Sequence, residues 1–232
     1  MSFPGGDALP IQVGLTGNIG SGKSSVARLL AQRDGAVLVD ADELARQATN
    51  DSEVLSRIAS DLGAGLVIGG DDGAPRLDRA ATAELVFADA AALERLNGII
   101  HPWVGRRRDE LVAKYQGAAE PPAVIVHDIP LLYENDLDSG LDAVIVVTAP
   151  LAARVARVVA RSGLEPQEVA RRDAHQMPLE TKAARADFVV DNAGDLADLR
   201  VQVARLWTEL LALRERLGTK RAATPEARQQ GS

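Results

Sequence analysis

The sequence has no cysteine and only three histidines among its 232 residues. The absence of cysteine excludes disulfide bonds and thiolate metal sites, and it agrees with a reducing compartment. His101, His127 and His175 lack the i,i+4 or same-turn spacing of paired metal ligands. We therefore expect structural histidines, with His101 as the one candidate for contact with a substrate.

Long apolar runs and an excess of positive charge are also missing. No uninterrupted apolar stretch approaches the roughly 20 residues that a membrane-spanning helix requires, and residues 1–10 lack the charged and apolar regions of a signal peptide. The net charge of −7 and the isoelectric point near 5.1 argue against a general nucleic-acid-binding protein, which usually carries a basic domain. We expect a cytoplasmic protein that binds neither membranes nor nucleic acid.

The most informative motif is G-x-x-x-x-G-K-[ST] at residues 17–24, between an apolar run at 11–15 and a helical pattern at 25–31. Its glycines allow backbone N–H groups to surround a polyphosphate, and the following helix directs the positive end of its dipole at the same anion. The motif predicts that Lys23 reaches the outer phosphates and that the Ser24 hydroxyl ligates Mg²⁺. The alternative is a glycine-rich turn that binds nothing. The predicted nucleotide-binding residues are Gly17, Asn18, Ile19, Gly20, Ser21, Gly22, Lys23, Ser24 and Ser25.

Short apolar runs alternate with helical patterns, which indicates a parallel α/β sheet covered by helices on both faces. The predicted strands are Ile11–Leu15, Ala36–Val39, Ala123–His127, Ala143–Val147 and Phe188–Val190. We assign residues 11–50 and 118–217 to a nucleotide-binding core, with a lid at about 151–186. Residues 51–117 would form a helical cap that binds the acceptor, and residues 1–10 and 218–232 would be flexible tails.

About eighty residues between the second and third predicted strands show no convincing strand. They indicate helices at Glu53–Leu62, Arg79–Phe87 and Ala90–Tyr115, after a turn at residues 69–73. A final amphipathic helix is predicted from about Ala197 to Leu217, with Trp207 packed near its apolar face. That face consists of Leu199, Val203, Leu206, Leu210 and Leu213.

Two carboxylates, Asp40 and Asp42, follow the second predicted strand. If the strand continues through them, their side chains share a face, and one could accept a proton from an attacking hydroxyl while either holds Mg²⁺ through water. The alternative makes Asp42 only the N-cap of a helix at residues 43–46.

Asp128 ends an apolar strand in the manner of a Walker B acid and is expected near the metal, although it could instead anchor the loop that follows. The lid segment concentrates positive charge that could stabilise a transferring phosphoryl group, although a charged helix face is usually only solvated surface. We expect two or three of these residues to contact ligand. They are Arg154, Arg157, Arg161, Arg171, Arg172, Lys182 and Arg185.

The order of these motifs resembles the dephospho-coenzyme A kinases, a family of P-loop kinases related to the nucleoside monophosphate kinases. The P-loop is not specific by itself, but the His-Pro helix, Asp-Ile-Pro-Leu-Leu and Asn-x-Gly in this order are much more so. The resemblance spans about residues 11–200 and rests on residues 14–24, 40–42, 96–102, 128–134 and 186–194.

The resemblance implies a three-layer α/β/α P-loop kinase fold with a five-stranded parallel sheet, an inserted helical cap and a helical lid. It implies phosphorylation of the ribose 3′-hydroxyl of dephospho-coenzyme A by ATP and Mg²⁺, in a protein whose oligomeric state stays open, with a monomer expected. The implied catalytic residues are Asp42 as the base, Lys23, Arg157 and Arg161. Asn192 and Gly194 would lie near adenine, Ser24 with Asp40 or Asp128 would hold Mg²⁺, and the acceptor would contact Asp40, Asp42, Arg79, His101 and Asp128.

Two positions depart from the family pattern. Asn18 replaces a glycine that is frequent there, a change we expect to be tolerated because asparagine also adopts left-handed conformations. Asp173 lies where an apolar residue is common, which leaves the role of Arg171 and Arg172 open. Two other functions are weighed: a kinase for another small acceptor, such as a nucleoside monophosphate, and a nucleotide-dependent switch or binding module.

Overall fold

The computed structural model describes residues 9–70 and 73–223. Their contacts divide the chain into two compact units, one formed by residues 40–114 and the other by the residues on either side. The strands are β1 Ile11–Thr16, β2 Ala36–Asp40, β3 Val67–Gly69, β4 Pro75–Leu77, β5 Val124–Asp128, β6 Ala143–Thr148 and β7 Phe188–Asp191. The helices are α1 Lys23–Ala31, α2 Ala41–Ala48, α3 Ser52–Asp61, α4 Arg79–Ala88, α5 Ala90–Gln116, α6 Leu151–Ser162, α7 Pro166–Ala174, α8 Leu179–Arg185 and α9 Leu196–Ala223.

The larger unit is built on a five-stranded parallel sheet in the order β2-β5-β1-β6-β7. Strand β1 lies at its centre, where Val13 pairs with Val126 of β5 and with Ala143 of β6. β5 and most of β6 are buried at every residue, as expected for strands covered on both faces. The predicted α/β class and five-stranded parallel sheet are confirmed.

One core lies between this sheet and helices α1 and α9. The odd-numbered residues of β1, including Val13 and Leu15, pack with Leu30 of α1 and Leu210 of α9. Alternation along a strand explains why the odd residues share this face. The predicted apolar face of the last helix is observed, and Trp207 packs against the same core.

The smaller unit has its own core, in which Ile58 and Ile99 are buried. Asp51 caps α3 and Asp78 caps α4, each accepting two backbone N–H groups. The hairpin of β3 and β4 was not predicted from sequence. Its three-residue strands are mostly exposed, and the turn predicted at residues 69–73 connects them. Asp71 and Asp72 of that turn lie outside the described residues.

Helix α9 continues six residues past Leu217, so the expectation of a flexible tail from Gly218 is wrong for residues 218–223. Arg221 donates to Asp142 Oδ1 at 2.9 Å, and Thr219 donates to the carbonyl of Glu215 at 3.0 Å. These contacts hold the last turns in the helical conformation. The parts of the predicted tails at residues 1–8 and 224–232 lie outside the described residues. No helix among the described residues is long and apolar enough to cross a membrane.

A buried ion pair fastens α8 to the loop after β5. Lys182 is fully buried, and its Nζ lies 2.7 Å from Glu134 Oε1. Glu134 also accepts the Met177 N–H at 2.9 Å. Burial raises the pKa of Glu134, but the hydrogen bonds from Lys182 and Met177 outweigh burial and hold it below its ordinary value.

We expect Lys182→Met to lower the free energy of unfolding by about 3–5 kcal/mol, because it leaves the Glu134 carboxylate desolvated without its cation. Urea denaturation measures this change. Lys114→Met is the matched control, since Lys114 is an exposed helical lysine. A loss in Lys182→Met no larger than that of the control would contradict the assignment.

The lowered pKa of Glu134 also predicts a pH dependence. Its contribution to stability is complete above the ordinary carboxyl value of about 4.5 and declines as the pH falls below it toward the folded pKa. The difference in free energy of unfolding between the unaltered protein and Glu134→Gln should therefore shrink with acidification in this range. If this difference in free energy of unfolding grows as the pH falls, the predicted direction of the pH dependence is wrong.

Candidate active site

The loop between β1 and α1 presents backbone N–H groups that donate to no described residue. Gly20 and Gly22 adopt left-handed φ values of +77° and +94°, which glycine adopts without steric cost. The N–H groups of Gly20, Gly22, Lys23 and Ser24 have no acceptor within the described part of the chain. The first turn of α1 begins at Lys23, so these donors add to the positive end of the helix dipole. The loop is suited to bind an anion.

Asn192 and Arg157 hold the middle of this loop. The Asn192 amide donates to the Ser21 carbonyl at 2.8 Å, and Arg157 donates to the carbonyls of Asn192 at 2.7 Å and Ser21 at 3.4 Å. A Cβ on Gly22 would overlap the Asn192 amide nitrogen. The structure therefore brings three predicted site regions together: the P-loop, Arg157 and the Asn-x-Gly loop. The Asn192 side chain contacts the P-loop, and its expected position near adenine stays a prediction. Gly194 lies against Asp198 of α9.

Lys23 forms an ion pair with Asp128, the last residue of β5. The pairing of Leu15 with Asp128 in the parallel register places the end of β5 beside the start of the P-loop. Both side chains are largely buried. Asp128 therefore lies at the P-loop, and its role toward a metal ion stays a prediction.

Hydrogen bonds from its side chain hold Asn18 in place. The sequence argument expected asparagine to be tolerated here because it adopts left-handed backbone conformations. Asp136 is the one non-glycine residue with positive φ among residues 9–70 and 73–223, so Asn18 is not left-handed. Its buried amide donates to Asp173 Oδ1 at 2.9 Å and to the Met177 carbonyl at 3.2 Å. The two positions that depart from the family pattern are thus in direct contact.

The lid arginines differ in what their side chains contact. Arg154 and Arg157 of α6 contact the P-loop, with Arg154 donating to the Ile19 carbonyl at 3.3 Å. Arg161 lies at the exposed end of α6, and its guanidinium makes no hydrogen bond or ion pair with the described residues. Arg154, which was not among the implied catalytic residues, contacts the loop, and the role expected for Arg161 toward the phosphoryl group stays a prediction. Arg171 and Arg172 pair with Glu168 on their own helix.

Strand β2 ends at Asp40 and does not continue to Asp42, so the expectation of a shared strand face is wrong. Helix α2 begins at Ala41, and Asp40 is its N-cap, accepting the Glu43 N–H at 3.0 Å. Asp42 lies exposed in the first turn of α2. The capping role considered for Asp42 therefore belongs to Asp40, because the helix starts earlier than predicted.

The smaller unit contains cavities lined by predicted residues. Asp42 and Arg79 line one of about 410 Å³, together with Arg46, which the sequence prediction missed. Arg79 also lines a cavity of about 390 Å³ with Arg76. A third, of about 520 Å³, is lined by residues that include Trp103, Arg106 and Arg107. Each of the three cavities has two arginines in its lining, and arginine is suited to bind phosphate groups.

The predicted histidines occupy ordinary positions. His101 is exposed on α5 and lines none of these three cavities. His127 is buried in β5, where its Nε2 lies 3.1 Å from Gln12 Oε1. His175 is the exposed C-cap of α7. No group of three or more histidine, aspartate and glutamate residues within residues 9–70 and 73–223 could hold a metal ion.

Comparison with known proteins identifies the family to which these features correspond. The family model for dephospho-CoA kinase matches residues 11–198. A dephospho-CoA kinase of Thermobifida fusca is 43% identical over 201 residues, which cover 86% of this chain and 96% of that protein. One from Deinococcus radiodurans is 44% identical over 200 residues, covering 86% and 92% of the two chains.

Two solved structures resemble the fold. A protein from Thermus thermophilus is 41% identical with a TM-score of 0.71, and the match covers 87% of this chain and 98% of that one. A dephospho-CoA kinase from Campylobacter jejuni is 22% identical with a TM-score of 0.60, covering 88% and 98% of the two chains.

We expect Gly22→Ala to abolish ATP binding measured by calorimetry. The left-handed φ costs a non-glycine residue about 1–2 kcal/mol, and the new Cβ would also displace the Asn192 amide. Gly98→Ala is the control, because a Cβ at this helical position meets no atom within 4 Å. The control should bind ATP normally and gain about 0.5–1 kcal/mol of stability. Unchanged ATP affinity in Gly22→Ala would refute the packing argument.

Proposed function

We propose that this chain, which belongs to the dephospho-CoA kinase family, transfers the γ-phosphoryl group of ATP to the ribose 3′-hydroxyl of dephospho-coenzyme A. The products are coenzyme A and ADP. The observation that carries the nucleotide half of this proposal is the P-loop, in which four N–H groups from Gly20 to Ser24 have no acceptor within residues 9–70 and 73–223. The extensive match to dephospho-CoA kinases supports the choice of acceptor.

Lys23 and Arg157 supply positive charge at the phosphates. The Lys23 ammonium is paired with Asp128, and a bound polyphosphate would compete with that carboxylate for it. Arg157 uses two donors on backbone carbonyls, which fixes its guanidinium at the loop. Because phosphoryl transfer spreads charge over three oxygens, fixed cations stabilise it without reorganising.

Asp42 is proposed to orient the acceptor hydroxyl and take its proton. The observation in its favour is that Asp42 is exposed and lines a cavity with Arg46 and Arg79. A carboxylate there can accept the hydroxyl proton while the two arginines bind phosphate oxygens of the acceptor. Since the transition state is loose, positioning can contribute more than basicity.

Mg²⁺ is proposed as the metal, because the donors at the P-loop are oxygens. The Ser24 hydroxyl is exposed at the start of α1, and the Asp128 carboxylate lies at the neighbouring lysine. Mg²⁺ is commonly bound by few protein oxygens, with water and phosphate completing its shell. Ser24 would hold the ion directly, and Asp128 or Asp40 through water. The ion would neutralise charge on the phosphate oxygens.

The activity is tested by mass analysis of the product formed from ATP, Mg²⁺ and dephospho-coenzyme A, with nucleoside monophosphates as competing acceptors. The proposal requires much faster phosphorylation of dephospho-coenzyme A than of any monophosphate, and ATP hydrolysis without an acceptor would instead favour a switch. We further expect the enzyme to act in the cytoplasm as a monomer, and sedimentation measures its oligomeric state.

We expect Asp42→Asn to lower kcat by about 100-fold or more while ATP affinity stays unchanged, because the amide cannot accept the proton. Steady-state kinetics and calorimetry with ATP separate the two effects. Glu53→Gln is the matched control, since Glu53 is an exposed acid in the first turn of α3. Near-normal turnover in Asp42→Asn would reject the assigned role.

A further inference from the structure

The two halves of the P-loop differ in how their polar groups are used. The Ile19 N–H donates to Gln176 Oε1 at 2.8 Å, its carbonyl accepts from Arg154, and the Asn18 carbonyl accepts the Ser21 N–H at 3.0 Å. The second half, from Gly20 to Ser24, carries the N–H groups that no described residue accepts. The Asn18 carbonyl and the Ile19 backbone are therefore bound by protein, whereas four N–H groups between Gly20 and Ser24 have no acceptor among the described residues.

The segment that binds the first half is residues 173–177, which we call the clasp. Asp173 and Met177 each accept from the Asn18 amide, and Gln176 accepts from the backbone of Ile19. Asn18 is only 3% exposed, so solvent cannot readily replace these partners. The clasp thus fixes both the side chain and the backbone at the start of the loop.

Arg154 compensates the negative charge that Asp173 of the clasp places beside the proposed anion site. Its guanidinium pairs with both Asp173 oxygens, with an Nη2–Oδ2 distance of 3.1 Å, and it is 5% exposed. Burial raises the pKa of Asp173, but hydrogen bonds from Arg154 and Asn18 outweigh it and lower that pKa. The carboxylate therefore stays ionised with its charge compensated, so it can hold Asn18 without repelling a phosphate.

The clasp is also anchored at its far end. The Met177 N–H donates to Glu134, which pairs with the buried Lys182, while the Met177 carbonyl accepts from Asn18. The N–H and the carbonyl of Met177 thus connect the buried ion pair to the P-loop. This anchoring limits how far the clasp can follow a distorted loop.

We propose that Asn18 and Asp173 are coupled positioning residues that hold the P-loop in its phosphate-binding shape before ATP arrives. The inference rests on the proposed function only in taking the loop as the ATP site. A loop that is ordered before binding loses less conformational freedom when ATP binds. Loss of the contact between Asn18 and Asp173 should therefore weaken the affinity for ATP. Neither residue needs to touch the nucleotide.

The test is a double-mutant cycle of Asn18→Ala, Asp173→Ala and the double variant. We expect each single change to raise the KM for ATP and its calorimetric Kd about tenfold, as for loss of a hydrogen bond to a charged group. The double variant should lose about as much ATP affinity as one single variant does. This loss is well below the product of the two single-variant losses. The KM for dephospho-coenzyme A and kcat should stay within about twofold.

Glu168→Ala is the matched control, because it removes two ion pairs from the same helix α7 away from the P-loop. Denaturation of each variant separates loss of folding from loss of affinity, and ATP affinity is compared at a temperature where all variants are folded. If Asp173→Ala destabilises the fold too far, Asp173→Asn takes its place in the cycle, and Asn18→Ser is added as a milder change at position 18. This variant shortens the donor and leaves the Arg154–Asp173 pair intact.

ATP affinity within twofold of the unaltered protein in a folded Asn18→Ala or Asn18→Ser variant would overturn the proposal. If the losses of ATP affinity in the two single variants multiply in the double variant, the two residues act independently and the proposed coupling is wrong. Calorimetry with ATP alone keeps this test separate from the reaction. A protein that binds ATP and shows the coupling, but does not phosphorylate dephospho-coenzyme A, would refute the proposed function and leave this inference standing.

Discussion

The candidate active site depends on backbone N–H groups that find no acceptor in the described part of the chain. Such donors are costly to bury, and a flexible loop could satisfy them by turning them toward its own carbonyls. The structure prevents this by occupying the carbonyls instead: Ser21 receives Asn192 and Arg157, and Ile19 receives Arg154. With its carbonyls bound on the protein side, the loop keeps its donors available to an anion.

The same constraint explains the position of the charged pair. The register of the parallel sheet pairs Leu15 with Asp128, so the last residue of β5 meets the chain where β1 gives way to the P-loop. The Ile129 N–H continues this pairing by donating to the Leu15 carbonyl at 3.0 Å. Asp128 therefore holds Lys23 through the regular geometry of the sheet, with no special loop, and the lysine is kept beside the donors it assists.

The parts of the fold that could be predicted are those whose signal is local. Buried strands such as Val124–Asp128 are continuous apolar runs, and the P-loop is a contiguous motif. The β3–β4 hairpin has strands of three residues, one beginning with Pro75, so no alternation is long enough to read. Contacts of the P-loop with Gln176 join residues separated by 157 positions, and nothing in the intervening sequence indicates the pairing.

Asn18 shows how the reason inferred from sequence for a residue can differ from the contacts that hold it. The backbone argument considers which φ values asparagine tolerates at a single position. In the structure, the Asn18 amide is instead hydrogen-bonded to a side chain from helix α7. Its identity is therefore tied to Asp173, and Asp173 is tied to Arg154. Glycine at position 18 would leave the clasp carboxylate short of a donor in a buried site, so the frequent residue of the family is not the neutral replacement in this chain.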